Sequence, residues 1–131
     1  MGGDPNPLVH HELCFGCGRT NLFGLLLEVA EIEPGVVAGR CFIKQDHQGP
    51  ERGNAHEGVV AAALCEAMAL ACGLEARAAG FEVMLSDPAP VGVFLDVEAS
   101  VDRREGQTAY ASARATADQR MVAQARGSFR V

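Results

Sequence analysis

The sequence predicts an α+β domain in which a curved antiparallel sheet of five to six strands wraps around one long central helix. Three observations carry this. The run from Val59 to Leu74 is apolar apart from a single charge, Glu66, and a helix without a polar face must be buried on every side. Further on, Val93, Leu95, Val97, Ala99 and Val101 alternate with Phe94, Asp96, Glu98, Ser100 and Asp102, the period of a half-buried antiparallel strand. Upstream of the helix, two β-rich runs flank the turn Glu33-Pro34-Gly35 and form a hairpin. One sheet curved around one helix buries both apolar surfaces at once.

In chain order, residues 1–23 are rich in Gly, Pro, Asn and His and form an irregular lead-in, and residues 24–131 make a single domain. Strand character begins at Gly24 with LLLEVAEI and resumes after the turn with VVAGRCFIK, where Val37, Gly39, Cys41 and Ile43 share one face. Residues 46–54 (DHQGPERGN) are a loop by composition. Asn54 is the expected N-cap of the helix, Glu57 a first-turn acid that suits the helix dipole, and Gly73 the stop. FEVML is the next strand, ending at Asp87-Pro88-Ala89-Pro90. The alternating strand follows and turns at Glu105-Gly106. Ala109, Ala111, Ala113 and Ala115 then line one face of a strand that turns at Asp118-Gln119, and residues 121–131 close the meander. The open edges and outer face of such a sheet call for pairing between copies, a homodimer or homotetramer.

Composition narrows the function classes. Apolar residues make up 48% and charged residues 21% of the chain, which argues for a packed core over disorder. The net charge of −6 repels a phosphate backbone. The arginine pair Arg103 and Arg104 sits between Asp102 and Glu105, so no basic patch offers itself to nucleic acid. The Val59–Leu74 run is too short and too alanine-rich to span a membrane. The opening residues carry no basic segment followed by an apolar run, so no secretory signal is expected. The five cysteines are then expected to be reduced thiols in a cytoplasm.

Four stretches, in this order and spacing, carry a resemblance: Cys14-Phe15-Gly16-Cys17-Gly18 with Asn21 and Gly24-Leu25; His47-Gln48-Gly49; His56-Glu57-Gly58 through Glu66-Ala67-Met68; and Pro88-Ala89-Pro90-Val91-Gly92. Together they resemble the hotdog-fold acyl-CoA thioesterases, in particular the phenylacetate-pathway-like group, over nearly the whole chain from Cys14. The resemblance implies a hotdog fold, an acyl-CoA or related thioester as partner, no cofactor, and a site at the dimer interface. In that family the helix opens with His-Gly-Gly, and an acid nine positions after the histidine acts as nucleophile or general base. A backbone N–H at the helix start polarises the thioester carbonyl, as the unpaired amides and positive end of a helix can do for a developing oxyanion.

Carried over residue by residue, His56 and the amides of Glu57 and Gly58 match the helix opening, with Glu57 replacing the first glycine. Nine positions after His56 stands Cys65 instead of an acid, and Glu66 follows it. The serine or threonine often found early in the next strand of the family falls near Ala78 or Ala79. His47, Gln48 and Asn54 are expected to line the substrate pocket, and Arg52, Arg103 and Arg104 are the arginines available for CoA phosphates.

Several residues have competing readings. Cys65 is a small buried hydrophobe, a thiol nucleophile, or a replacement of the acid; a thiolate needs an electropositive neighbour, and Glu66 is adjacent. Glu66 is either a base or one half of a structural salt bridge, for instance to an arginine across the dimer. His56 is a cap or a residue that orients the acyl carbonyl. His47 and Gln48 line a pocket or belong to a solvated loop. Cys14 and Cys17 supply half of a zinc site that His10 and His11 could complete, but the missing second cysteine pair argues against metal or redox use, and no metal is expected. Two functions follow: hydrolysis of an acyl-CoA, or binding of an acyl thioester or apolar ligand without turnover, which the cysteine at position 65 motivates. A hydratase on the same fold lacks a suitably spaced Asp-His pair before the helix.

Overall fold

The computed structural model describes residues 6–131; the first five residues of the lead-in lie outside it. The elements run β1 (Glu28–Glu33), β2 (Val36–Phe42), a 3-10 turn (Gln45–His47), α1 (Glu57–Cys72), β3 (Arg77–Leu85), β4 (Phe94–Glu105), β5 (Thr108–Ala117) and β6 (Arg120–Arg130). All six strands join one antiparallel sheet in the order β1-β2-β4-β5-β6-β3. The helix packs chiefly on β4 and β5 at the middle of that sheet, so the expected helix-in-sheet architecture is what the chain adopts.

The period-two pattern explains the packing. Along β4, Leu95, Val97 and Ala99 are buried while Phe94, Asp96 and Glu98 are exposed. Along β5, every alanine from Ala109 to Ala117 at odd positions is buried, opposite Val97 and Ala99 on one side and Ala123 and Ala125 on the other. This small-residue floor lets Ala63, Leu64, Ala67 and Met68 of α1 pack with no solvent exposure. Val37, Cys41 and Ile43 are buried together, as their shared face predicted. Gly39, between them, is required by close approach: a Cβ there would stand 1.8 Å from the Glu28 carbonyl oxygen of β1.

Three boundaries differ from the sequence reading. The first strand starts at Glu28 and not at Gly24, because the Leu25 and Leu27 amides bond the carbonyls of Phe15 and Gly16 in the lead-in, both at 2.8 Å. Leu26 between them takes a left-handed backbone, φ 52°, which breaks strand geometry. β3 starts at Arg77, ahead of Phe81, because pairing with β6 draws the weak Ala-Ala-Gly segment into the ladder. The N-cap is His56 and not Asn54; the Asn54 backbone is engaged within its loop, donating to the Glu51 carbonyl and accepting from the Gly49 amide.

β1 and β3 are the two edges of the sheet. β3 is exposed along its length except for a half-buried Val83, with Phe81, Met84 and Leu85 open to solvent. Among the described residues no helix is long and apolar enough to cross a membrane.

Candidate active site at the start of the helix

The loop before α1 is built to aim the helix start. Gln48 and Ala55 form one isolated bridge and Asn54 and Pro90 another. The Ala55 amide donates to the Ala89 carbonyl, and the His56 amide to the His47 carbonyl, both at 2.8 Å. The two loops on either side of the helix start are thereby tied to each other as well as to the helix. His56 has extended backbone angles, and its Nδ1 accepts from the Gly58 amide at 2.8 Å. Its carbonyl accepts from Val59 at 2.9 Å.

Of the first helical amides, Gly58 is therefore occupied by the His56 ring, whereas Glu57 N–H has no partner among the described residues. Beside it opens a cleft of about 250 Å³ whose lining includes Glu51, Asn54, Glu57, Leu85, Asp87 and Val122. An unpaired amide at the positive end of a helix, with a carboxylate on the same residue, can hold an oxyanion and accept a proton side by side. Glu51 and Asp87 were not singled out from the sequence. The signal that could have found Asp87 was the Asp-Pro-Ala-Pro loop, whose pairing with Asn54 and Ala55 is non-local.

The remaining expected site residues lie apart from this cleft in the single chain. His47 is buried, 6% exposed. Its Nδ1 accepts from the Lys44 amide at 3.0 Å, while Nε2 is buried without a partner among the described residues. Burial, with Lys44 nearby, lowers its pKa from the ordinary value of 6.5. His47 is thus a neutral support beneath the helix start. The Gln48 amide folds its own loop, donating to the Gln45 carbonyl at 2.9 Å and accepting from the Gly53 amide at 2.7 Å.

Cys65 is half-buried. Burial and then the neighbouring Glu66 push its thiol pKa up, so the group is a neutral thiol and a poor nucleophile. The partner of Glu66 is in its own chain: Oε2 stands 2.8 Å from His10 Nδ1 and 3.4 Å from Cys14 Sγ, and both ends of the His10–Glu66 pair are about 15% exposed (15% and 14%).

The arginines divide by position. Arg104 donates to the Cys72 carbonyl at 3.1 Å, which places it at the C-terminal end of α1. Arg103 pairs with Glu105 and lies 3.9 Å from the Tyr110 ring centre. Arg52, exposed, adjoins Glu51 of the cleft wall.

No protein-family model matches the chain, and no curated protein matches its sequence. Solved structures do match. The E. coli PaaI protein from the phenylacetic acid degradation operon superposes with a TM-score of 0.75 at 22% identity, covering 82% of this chain and 84% of that one. A thioesterase superfamily protein gives a TM-score of 0.82 at 18% identity, over 92% of this chain and 61% of the other. A mutant of the phenylacetic acid degradation protein PaaI from Thermus thermophilus gives 0.73 at 25% identity, over 80% of this chain and 93% of that one. One helix wrapped by a six-stranded antiparallel sheet, superposing on these structures, shows that this chain has the hotdog fold.

Proposed function

We propose that the chain hydrolyses an acyl-CoA or related thioester at the start of α1. The observation that carries the proposal is that Glu57, whose amide has no partner among the described residues, lines the cleft at the start of α1. The thioester carbonyl oxygen rests on that amide. Water attacks the carbonyl carbon, the Glu57 carboxylate takes the water's proton, and the C–S bond breaks as the leaving thiolate takes up a proton. Glu66 is the less suitable base, since His10 and Cys14 already hold its carboxylate. The acidic rim of Glu51, Glu57 and Asp87 repels phosphate, so the nucleotide end of a CoA ester leaves the cleft on the side of Arg52. A homodimer or homotetramer, joined through an edge such as β3, brings the half-buried Cys65 face of one helix toward a second copy. The five free cysteines accord with a reducing compartment such as the cytoplasm.

The test is release of free thiol from a panel of acyl-CoAs. Hydrolysis is expected, and Glu57→Gln is expected to lower it by about 10²-fold or more, the usual worth of a general base. Unchanged rates in Glu57→Gln refute the role of that carboxylate. One observation favours a second reading, ligand binding without turnover: the neutral Cys65 thiol stands where the family carries its acid. An inactive chain that gains hydrolysis on Cys65→Asp supports that reading over the first.

A further inference from the structure

Glu66 is the single charge in the body of α1 beyond its first turn, and what surrounds it is more than a salt bridge requires. Three other side chains converge on it: His10, Cys14 and Cys17. One ligand atom from each of the four residues lies within 4.8 Å of all the others. His10 Nδ1 is 3.4 Å from Cys17 Sγ and 3.7 Å from Cys14 Sγ, and Cys14 Sγ is 3.4 Å from Glu66 Oε2. A tetrahedral zinc ion, with bonds of about 2.3 Å to sulfur and about 2.0–2.2 Å to nitrogen or oxygen, separates its ligand atoms by about 3.3–3.8 Å. Three of the four measured edges fall within that range. The fourth, His10 to Glu66 at 2.8 Å, is a direct hydrogen bond that an ion would replace, opening it by about half an ångström.

The backbone around the cluster is shaped for the same purpose. Cys14 to Gly18 forms a tight knuckle in which the Gly18 amide bonds the Cys14 carbonyl at 2.9 Å. A Cβ on Gly18 would come within 2.3 Å of the Glu12 carbonyl oxygen, and one on Gly16 within 2.4 Å of Glu66 Cδ. Only glycine lets the knuckle close on itself and settle against the Glu66 side chain. The His10 amide also points at Cys17 Sγ, 3.2 Å away, a contact that a thiolate accepts better than a thiol. Cys17 is fully buried and the other three are half-buried, so the cluster is shielded without being sealed. His11, the other histidine of the sequence motif, turns away and accepts from the Leu13 amide.

We propose that His10, Cys14, Cys17 and Glu66 bind one zinc ion that clamps the lead-in onto the central helix. Two soft sulfurs with one imidazole and one carboxylate suit zinc over harder cations. Both thiols lose their protons to solvent on binding, His10 coordinates as a neutral ring through Nδ1, and no bond is redox-altered. All four positions are filled by protein, the hallmark of a structural ion and not of a hydrolytic one. The site therefore stands apart from the cleft at the helix start, and its success or failure leaves the proposed hydrolysis untouched.

The experiment is elemental analysis of the full chain purified without chelator, followed by extraction and titration with cobalt(II) as the spectroscopic probe. About one zinc per chain is expected, and the cobalt form is expected to show thiolate charge-transfer and the intense visible bands of tetrahedral coordination. Cys17→Ser and Cys14→Ser should each remove roughly half of the thiolate charge-transfer intensity, and the double variant should abolish it. Glu66→Gln should weaken cobalt binding by at least about tenfold, the scale on which even outer-shell changes act. Cys41→Ser and Cys72→Ser should leave the spectrum unchanged. If a cysteine variant fails to fold, the unmodified chain answers the question, since chelation should release the metal and expose Cys14 to alkylation. Purified chain without stoichiometric metal that also gives no tetrahedral cobalt spectrum overturns the proposal and leaves a His10–Glu66 ion pair beside two thiols. A thiolate spectrum undiminished by loss of Cys14 or Cys17 overturns it too.

Discussion

Lowering the pH should destabilise this protein through one buried side chain, His47. Its Nδ1 accepts from the Lys44 amide, so the ring must carry its proton on Nε2, which is buried and unpartnered among the described residues. A charged ring would have to give up that Nδ1 bond or lie desolvated with Lys44 nearby, and its pKa is accordingly lowered from 6.5. As pH falls below about 6.5, the unfolded chain takes up a proton at this position before the folded one does. Stability is therefore present above that value and is lost as pH falls toward the folded-state pKa. The limiting slope is about 1.4 kcal/mol per pH unit, so the loss between pH 7.5 and 5.5 is at most about 1.4 kcal/mol. That is measurable against a total of about 5–15 kcal/mol. Other groups titrate in the same window, so the decisive quantity is a difference. Urea unfolding of the native chain and of His47→Asn should be followed at both pH values. The asparagine oxygen can still accept from Lys44, and the cost of its smaller volume does not depend on pH. The native chain should lose more stability than His47→Asn on acidification, and equal losses would refute the argument. Because the His47 carbonyl also holds the His56 amide, the same protonation should loosen the loop that aims the helix.

Two further substitutions test the packing that positions the site. His56→Ala removes the side chain that accepts from the Gly58 amide and should cost about 0.5–2 kcal/mol in urea unfolding; a change of sign would mean the ring does not cap the helix. Gly39→Ala places a Cβ 1.8 Å from a backbone oxygen of β1, where no rotamer change can relieve the overlap. It should destabilise by about 1–3 kcal/mol or more, and a neutral result would show that β1 does not pack on β2 as described.

The sheet was legible because its signals are local. Alternation in β4 and the alanine stripe in β5 state which face is buried before any partner is known. The helix was legible for the converse reason, since Val59–Leu74 carries no polar face. What could not be read were features decided by distant partners. Leu25 and Leu27 look like strand residues until the lead-in takes their amides. Asn54 is a better cap by residue type than His56, but its backbone is committed to the loop and to Pro90. Glu66 invited a partner on another subunit, and the partner proved to be His10, fifty-six residues earlier in the same chain. His10, Cys14 and Cys17 were visible as a local group, but the fourth member of their cluster lies on the helix, beyond the reach of any spacing rule.

The start of α1 is the proposed place where a thioester carbonyl is held. The direct measurement is the backbone amide spectrum of the chain, assigned and titrated with a non-hydrolysable acyl-CoA analogue that keeps the carbonyl. The Glu57 amide should move most, as a free donor gaining an acceptor, with smaller shifts at Asn54, Leu85 and Asp87 around the cleft. A Glu57 amide unmoved at saturation, with the shifts gathered elsewhere on the sheet, would contradict it.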